Sequence, residues 1–229
     1  MTPTVITIDG PAGSGKTTLG RRLATTLGLP LVDTGLFYRG VMVAAARAGI
    51  APDDRDALID CARRTEVVID TDPNHDDADS AALVDGIDAG PALRDPANAP
   101  LLASMSSIPE VRAVLLEAQR ALARDGAIAV GRDCGTVVFP HAQLKLYLVA
   151  SETVRAQRRA SQLRGNGADA DSALMRGEIG ARDRRDATRS AAPMQPAPDA
   201  HVLDTGVLGV DEVVRTALQL WAAVTAATG

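Results

Sequence analysis

The octapeptide GPAGSGKT, residues 10–17, stands directly behind the apolar run Val5–Asp9 and ahead of a helical pattern from Lys16 to Leu27. It matches the Walker A pattern G-x-x-x-x-G-K-[ST] in the strand–loop–helix context that gives the pattern its meaning. Glycines at 10, 13 and 15 let successive backbone N–H groups turn inward on phosphate oxygens. The start of the following helix adds the positive end of its dipole. Lys16 is placed to reach the β- and γ-phosphates, and Thr17 offers a hydroxyl to Mg²⁺. Gly10, Pro11, Ala12, Gly13, Ser14, Gly15, Lys16, Thr17 and Thr18 are therefore the expected ATP-binding loop, with Thr17 the expected metal ligand.

The rest of the chain continues the alternation that this loop begins. Strands are expected near Val5–Asp9, Leu31–Asp33, Ala127–Val130, Leu144–Val149 and His201–Leu203. Helices are expected at Lys16–Leu27, Phe37–Ala48, Pro52–Arg64, Pro109–Arg124, Glu152–Leu163, Asp171–Arg189 and Val210–Ala226. Such alternation builds βαβ units, and LKLYLV is apolar enough to be buried on both faces of a parallel sheet. The predicted fold is α/β: a single three-layer αβα P-loop domain, residues 1–229, around a parallel five-stranded core sheet. Its core is 1–64 and 109–229. Two stretches break the pattern. Residues from about 65 to 108 are rich in turn formers and read as an insert carrying a small sheet or hairpin. Residues from about 155 to 170, ending in a glycine-containing link, read as a short lid.

Composition excludes several functions. A formal charge of −5 lacks the basic footprint of a nucleic-acid binder, and 2% aromatic residues leave few platforms for stacked bases. Two cysteines, Cys61 and Cys134, are too few for a disulfide framework and suit a reducing compartment. The N-terminal apolar stretch is cut by Asp9, and no run approaches the roughly 18 apolar residues of a membrane helix. A soluble cytoplasmic protein with no membrane partner is expected. His75, His141 and His201 lack ligand spacing. The tract DTDPNHDDADSA alternates Asp70, Asp72, Asn74 and Asp76 like a calcium loop. It has His75 where the glycine belongs and Ala81 where the glutamate belongs, so it reads as an acidic turn.

The chemistry beyond the loop lies in a second set of cations. Thr34 and Arg39 follow the second strand in DTGLFYR, and Arg132 and Asp133 follow the third in GRDCGT. Both segments fall at the carboxyl ends of strands, where open α/β sheets bind ligands. ARDRRDATR, residues 181–189, places Arg182, Asp186 and Arg189 on one helical face. Arginine forks converging from separate segments suit phosphoryl transfer between two polyanions, because the moving group spreads its charge over equatorial oxygens. Two other readings stand beside a kinase for a phosphorylated acceptor. One is a small-metabolite P-loop kinase with Asp33 as base; the other is a nucleotide-binding protein without turnover.

IDGPAGSGKTT, LVDTGLFYRG, SSIPEVRAVLLEAQR, GRDCGTVVFP, ARDRRDATRSAAP and VLDTGVLGVDEVV together resemble the cytidylate kinases of the nucleoside monophosphate kinase group, nearly end to end. The resemblance implies ATP-dependent phosphorylation of CMP and dCMP to CDP and dCDP with Mg²⁺. ATP would lie on the P-loop, and the acceptor between the core and the insert. Thr34, Arg39, Arg132 and Arg189 would hold the acceptor phosphate, Arg112 and Asp133 the cytosine edge, and Arg182 and Asp186 the pentose. Lys16, Arg132, Arg182 and Arg189 would carry catalysis, and one of Arg155, Arg158 and Arg159 would swing over the transferring group. A monomer is implied.

Four departures loosen strict cytosine preference and leave another or a modified pyrimidine monophosphate as an alternative acceptor. Ala103 stands where the family has a serine, unless neighbouring Ser104 replaces it after a shift. Val130 replaces an acidic residue, Thr188 an asparagine and Ala181 a glutamate.

Overall fold

The run VITID forms β1 (Val5–Asp9) and is buried at all five positions, because it lies at the centre of a parallel sheet. The computed structural model describes residues 3–74, 82–165 and 172–228. The main sheet also contains β2 (Leu31–Asp33), β6 (Ala127–Val130), β7 (Leu144–Val149) and β8 (His201–Asp204), in the order β2-β6-β1-β7-β8. All pairings are parallel, with Ile6 beside Ile128 on one flank and Leu144 on the other.

Alternate residues of β1 face opposite layers. Ile6 and Ile8 join Leu19 and Leu23 of α1 (Lys16–Leu27) and Val213 and Ala217 of α8 (Val210–Thr228) in one apolar cluster. Trp221 and Leu220 pack partly buried against the same cluster, as expected for the last helix. Val5 faces the second layer, built by α2 (Gly35–Arg47), α3 (Arg55–Arg64) and α5 (Pro109–Ala121). The predicted three-layer arrangement and all five strands are therefore found. Helix α3 begins three residues later than the sequence suggested, because the Asp54 side chain accepts the Ala57 N–H at 3.1 Å and caps it there. Cys61 lies in the core as anticipated.

Between α3 and α5 the chain forms β3 (Val67–Ile69), β4 (Ala82–Val84) and β5 (Ile87–Asp88), a small antiparallel sheet. Two 3₁₀ turns, Gly90–Arg94 and Pro96–Asn98, lead into α4 (Ala99–Met105), a helix the sequence reading did not contain. The buried faces of these elements, including Ile69, Val84, Leu93 and Met105, belong to the same cluster as α2. Of the acidic tract, Asp72 and Asn74 form side-chain-to-backbone turns with Asp70 and Asp72; His75, Asp76 and Ala81 lie outside the described residues.

Helices α6 (Glu152–Gly165) and α7 (Ser172–Thr188) pack on one another. The link at 166–171, which holds most of the lid's glycine-containing segment, lies outside the described residues. Among the described residues no single helix is long and apolar enough to cross a membrane.

Helix α1 approaches the sheet closely at Gly20. A Cβ there would lie 2.7 Å from Val130 Cγ1 and 2.9 Å from Leu31 Cδ1. This contact explains why Val130 is apolar: its side chain faces the α1 layer. Gly20→Ala gains about 1 kcal/mol of helix propensity but overpacks the core by about 1–3 kcal/mol. A net loss of about 1 kcal/mol is expected in urea unfolding, and Gly20→Val should lose more.

Candidate active site

The phosphate loop leaves β1 at Gly10, whose φ of 140° brings its backbone against the Leu148 carbonyl on β7, with no room for a side chain. It re-enters the helix through Gly15 at φ 92°, the cap of α1. The Lys16 ammonium turns back and donates to the Pro11 carbonyl at 2.8 Å, so it sits over the loop. Burial drives its pKa well below the usual lysine range, and Arg132 and Arg182 push in the same direction. Ser14 Oγ is buried without a partner, and Thr17 lies half-buried in the first turn of α1. Thr18 is exposed.

Asp183 of α7 accepts the Ala12 N–H at 3.2 Å, while Arg155 of α6 donates to the Ala12 carbonyl at 3.0 Å and pairs with Asp183. On the far side Thr205 Oγ1 donates to the Ser14 carbonyl at 2.9 Å and accepts from Arg158 at 3.0 Å. Arg155 and Arg158 thus brace the loop in this structure. Arg159 is placed differently. Burial lowers its pKa, Arg94 from the first 3₁₀ turn adds to the lowering, and Glu178 opposes it.

The arginines expected around the acceptor are brought together. Arg132 donates to the Gly10 carbonyl, and its Nε lies 3.1 Å from Asp186 Oδ2. Arg182 and Arg189 reach the same carboxylate at 3.9 and 3.8 Å, so one aspartate organises three cations. Burial, then Arg182, lowers the Arg132 pKa. Burial also lowers that of Arg182, with Arg39 adding, although 41% of its side chain remains exposed and moderates the effect. Arg39 projects from α2, donates to the Leu93 carbonyl at 2.6 Å and is lowered by burial, then by Arg94, Arg159 and Arg132, against Asp33. Thr34 is buried at the start of α2 and donates its hydroxyl to the Val130 carbonyl at 3.0 Å.

Beside this cluster a cleft of about 230 Å³ is lined by Tyr38, Arg112, Leu116, Gln119, Asp133 and Val138, among others. Arg112 and Asp133 stand side by side, 2.5 Å apart, and the Arg112 guanidinium lies 5.2 Å from the Tyr38 ring centroid. Asp133 also accepts from Arg189 at 3.4 Å. Burial pushes the Tyr38 hydroxyl up to about 12, so it remains a neutral donor at any working pH.

Several of these groups were not singled out from the sequence. Gln119 is buried and donates to the Thr34 carbonyl at 3.2 Å. Its signal was a polar residue on the apolar face marked by Val111 and Leu115. Tyr38 sat inside a quoted motif and Asp183 inside the charged run, each without a role. In the sequence Asp9 stands out only as an interruption of an apolar stretch. Its carboxylate accepts the Cys134 N–H at 2.8 Å and the Gly135 N–H at 2.7 Å, and burial pushes it up to about 6 against those two bonds. Ser104, offered as a stand-in for the serine missing at Ala103, donates instead to the Pro52 carbonyl at 2.5 Å on the surface. Cys134 is fully buried, as expected for a small filler, and burial raises its thiol pKa well above the usual range.

The model of the cytidylate kinase family matches residues 6–223 of this chain. A cytidylate kinase from Symbiobacterium thermophilum is 41% identical over 94% of both chains. Another from Methylocella silvestris is 45% identical over 93% of this chain and 92% of its own. A solved structure of an uncharacterized protein from Eubacterium ventriosum superposes with a TM-score of 0.51 at 12% identity, covering 97% of this chain and 99% of that one. That likeness speaks for the fold alone. With the phosphate loop, the arginine cluster and the matched length taken together, the chain belongs to the cytidylate kinase family.

Proposed function

We propose that the protein transfers the γ-phosphoryl group of ATP to CMP and dCMP. The observation that carries this reading is the placement of Lys16, Arg132, Arg182 and Arg189 between the phosphate loop and the Arg112–Asp133 cleft. Lys16 and Arg132 are drawn out of water and depressed by neighbouring cations, Arg182 among them, at a cost that a bound polyanion removes. The loop amides and Lys16 hold the donor phosphates, while Arg39, Arg132 and Arg189 hold the acceptor phosphate. Arg132 and Arg182 neutralise the charge that develops as the phosphoryl group moves. The acceptor phosphate is already anionic near neutral pH, so no general base is demanded.

The cleft suits a cytosine edge. Arg112 offers donors to the ring carbonyl and N3, and Asp133 accepts the exocyclic amine. Uracil reverses the pattern at N3 and C4, setting donor against donor at N3 and acceptor against acceptor at C4. Among the described residues no cluster of three His, Cys, Asp or Glu side chains forms a metal cage. This fits Mg²⁺, which keeps several waters and binds through few protein ligands plus phosphates. Thr17 is the residue that would hold it, and the metal would supply further charge neutralisation between the donor phosphates.

The test is ADP release with ATP–Mg²⁺ against CMP, dCMP, UMP, dTMP, AMP and GMP. CMP and dCMP should lead, with UMP lower in kcat/KM by about 100-fold or more, because buried polar groups are left mispaired. Preference for another monophosphate would move specificity to the region around Ala103. No acceptor-dependent ADP formation at all would overturn the reading.

A further inference from the structure

One buried carboxylate joins the two halves of the site without a part in the scheme above. Asp9 ends β1 and directly precedes the phosphate loop; it is 4% exposed. Its two oxygens accept the N–H groups of Cys134 and Gly135, at the start of the π-helical turn Cys134–Val138 that follows Arg132 and Asp133. Two further bonds run alongside, from the Gly131 N–H to the Ile8 carbonyl at 3.1 Å and from Arg132 to the Gly10 carbonyl. The donor loop and the segment carrying the acceptor-side Arg132 and Asp133 are therefore joined at Asp9.

We propose that Asp9 is a positioning residue for the acceptor, whose ionised carboxylate orients the Cys134–Gly135 turn and through it the Arg132 and Asp133 side chains. The proposal rests on the reading of the acceptor site given above. An ionised carboxylate accepts from both N–H groups. An amide or a protonated carboxyl keeps one accepting oxygen and turns a donor toward the other N–H. Burial is what pushes this carboxyl up to about 6, and Asp133 adds to it. The charged and titratable groups facing it are Asp133 and Cys134 on the turn, Lys16 on α1 and Tyr147 on β7. The Lys145 stem packs over Gly135, but its ammonium is committed to Asp199 at 2.9 Å and the Pro140 carbonyl at 2.7 Å.

The sign of the linkage separates this role from that of a structural prop. A carboxyl whose pKa rises on folding contributes stability that is fully present below its unfolded value near pH 4 and is lost as pH rises through about 6. Ionised Asp9 therefore lowers stability at neutral pH while it orders the turn. A prop would do the opposite.

The experiment compares wild type with Asp9→Asn and Gly135→Ala in kcat/KM for CMP, KM for ATP and thermal midpoint, between about pH 5 and pH 8. A Cβ on Gly135 would lie 2.9 Å from Thr7 Oγ1 and 3.4 Å from Asp9 Oδ2, so it displaces the same turn without changing the carboxylate. The phosphate of CMP itself titrates near pH 6, and taking the ratio of wild type to Asp9→Asn cancels that contribution. At pH 8 Asp9→Asn should lose about tenfold in kcat/KM for CMP, with KM for ATP within about twofold and a midpoint equal or higher. The ratio should fall toward one as pH drops through about 6. Gly135→Ala should raise KM for CMP selectively and keep the wild-type titration. A ratio independent of pH, equal losses toward ATP and CMP, or a lowered midpoint would overturn the proposal. If Asp9→Asn does not fold, the Gly135→Ala comparison decides, since equal losses toward both substrates refute the positioning role. Failure of the underlying reading is distinct: wild type would then phosphorylate no CMP at any pH.

Discussion

Lys16→Met should cut turnover by about 1,000-fold or more while leaving the protein as stable as before, or more so. The two halves of that result have one cause. The ammonium is buried over the loop with Arg132 and Arg182 close enough to depress it further. Replacing it with an apolar side chain of similar length removes a desolvated cation and relieves its neighbours, which raises or preserves the thermal midpoint. In the proposed reading the same charge serves the donor phosphates, so the transition state loses it. ATP binding should fall far less than kcat, because the backbone N–H groups of Gly13 to Lys16 remain. Steady-state kinetics and a melting curve on one preparation check both halves. Near-normal kcat would remove Lys16 from the chemistry.

Arg132→Ala should lose turnover on a similar scale, about 1,000-fold, but for a partly geometric reason. Arg132 spans the Gly10 carbonyl and Asp186, so its fork is held between the donor loop and the carboxylate shared with Arg182 and Arg189. Removing it takes away a charge and also the link that aims the other two. Arg132→Lys keeps the charge and loses the planar fork, and should recover only part of the rate. Full recovery by lysine would show that a point charge suffices and that the double attachment is incidental. Neither variant should shift KM for ATP more than a few-fold, because the loop keeps its own amide donors.

Much of this architecture was legible because parallel α/β folds write their strands as continuous apolar runs. VITID and LKLYLV are fully or almost fully buried on both faces, and each appears in the sequence as a mainly apolar stretch, broken only by Thr7 and Asp9 in the first and Lys145 in the second. Helix α4 was not legible: its seven residues are too few to show a period, and two prolines stand just ahead of or inside it. In the site, the arginines were readable because several cations in motifs at strand ends have few structural uses. Their organiser was readable only in part. Asp186 was visible on the face of Arg182 and Arg189, but nothing local indicates that Arg132, more than fifty residues earlier, shares it. Asp9 and Gln119 show the same limit. Each is a polar residue on an apolar element whose partner is remote in sequence. Arg155 illustrates the converse, since a helix-surface pattern cannot reveal that its guanidinium reaches the Ala12 carbonyl.

The burial of Lys16, Arg39, Arg132, Arg182 and Arg189, with the repulsion among the first four, has a consequence for the lifetime of the protein. Anything that binds the native state alone deepens its stability in proportion to the logarithm of its concentration. Here binding also relieves a destabilising electrostatic strain inside the fold. The fraction of molecules open to proteases therefore falls as nucleotide concentration rises, and degradation is slowest where substrates are abundant. Abundance of the enzyme is in this way tied to occupancy by the charge distribution of its active site.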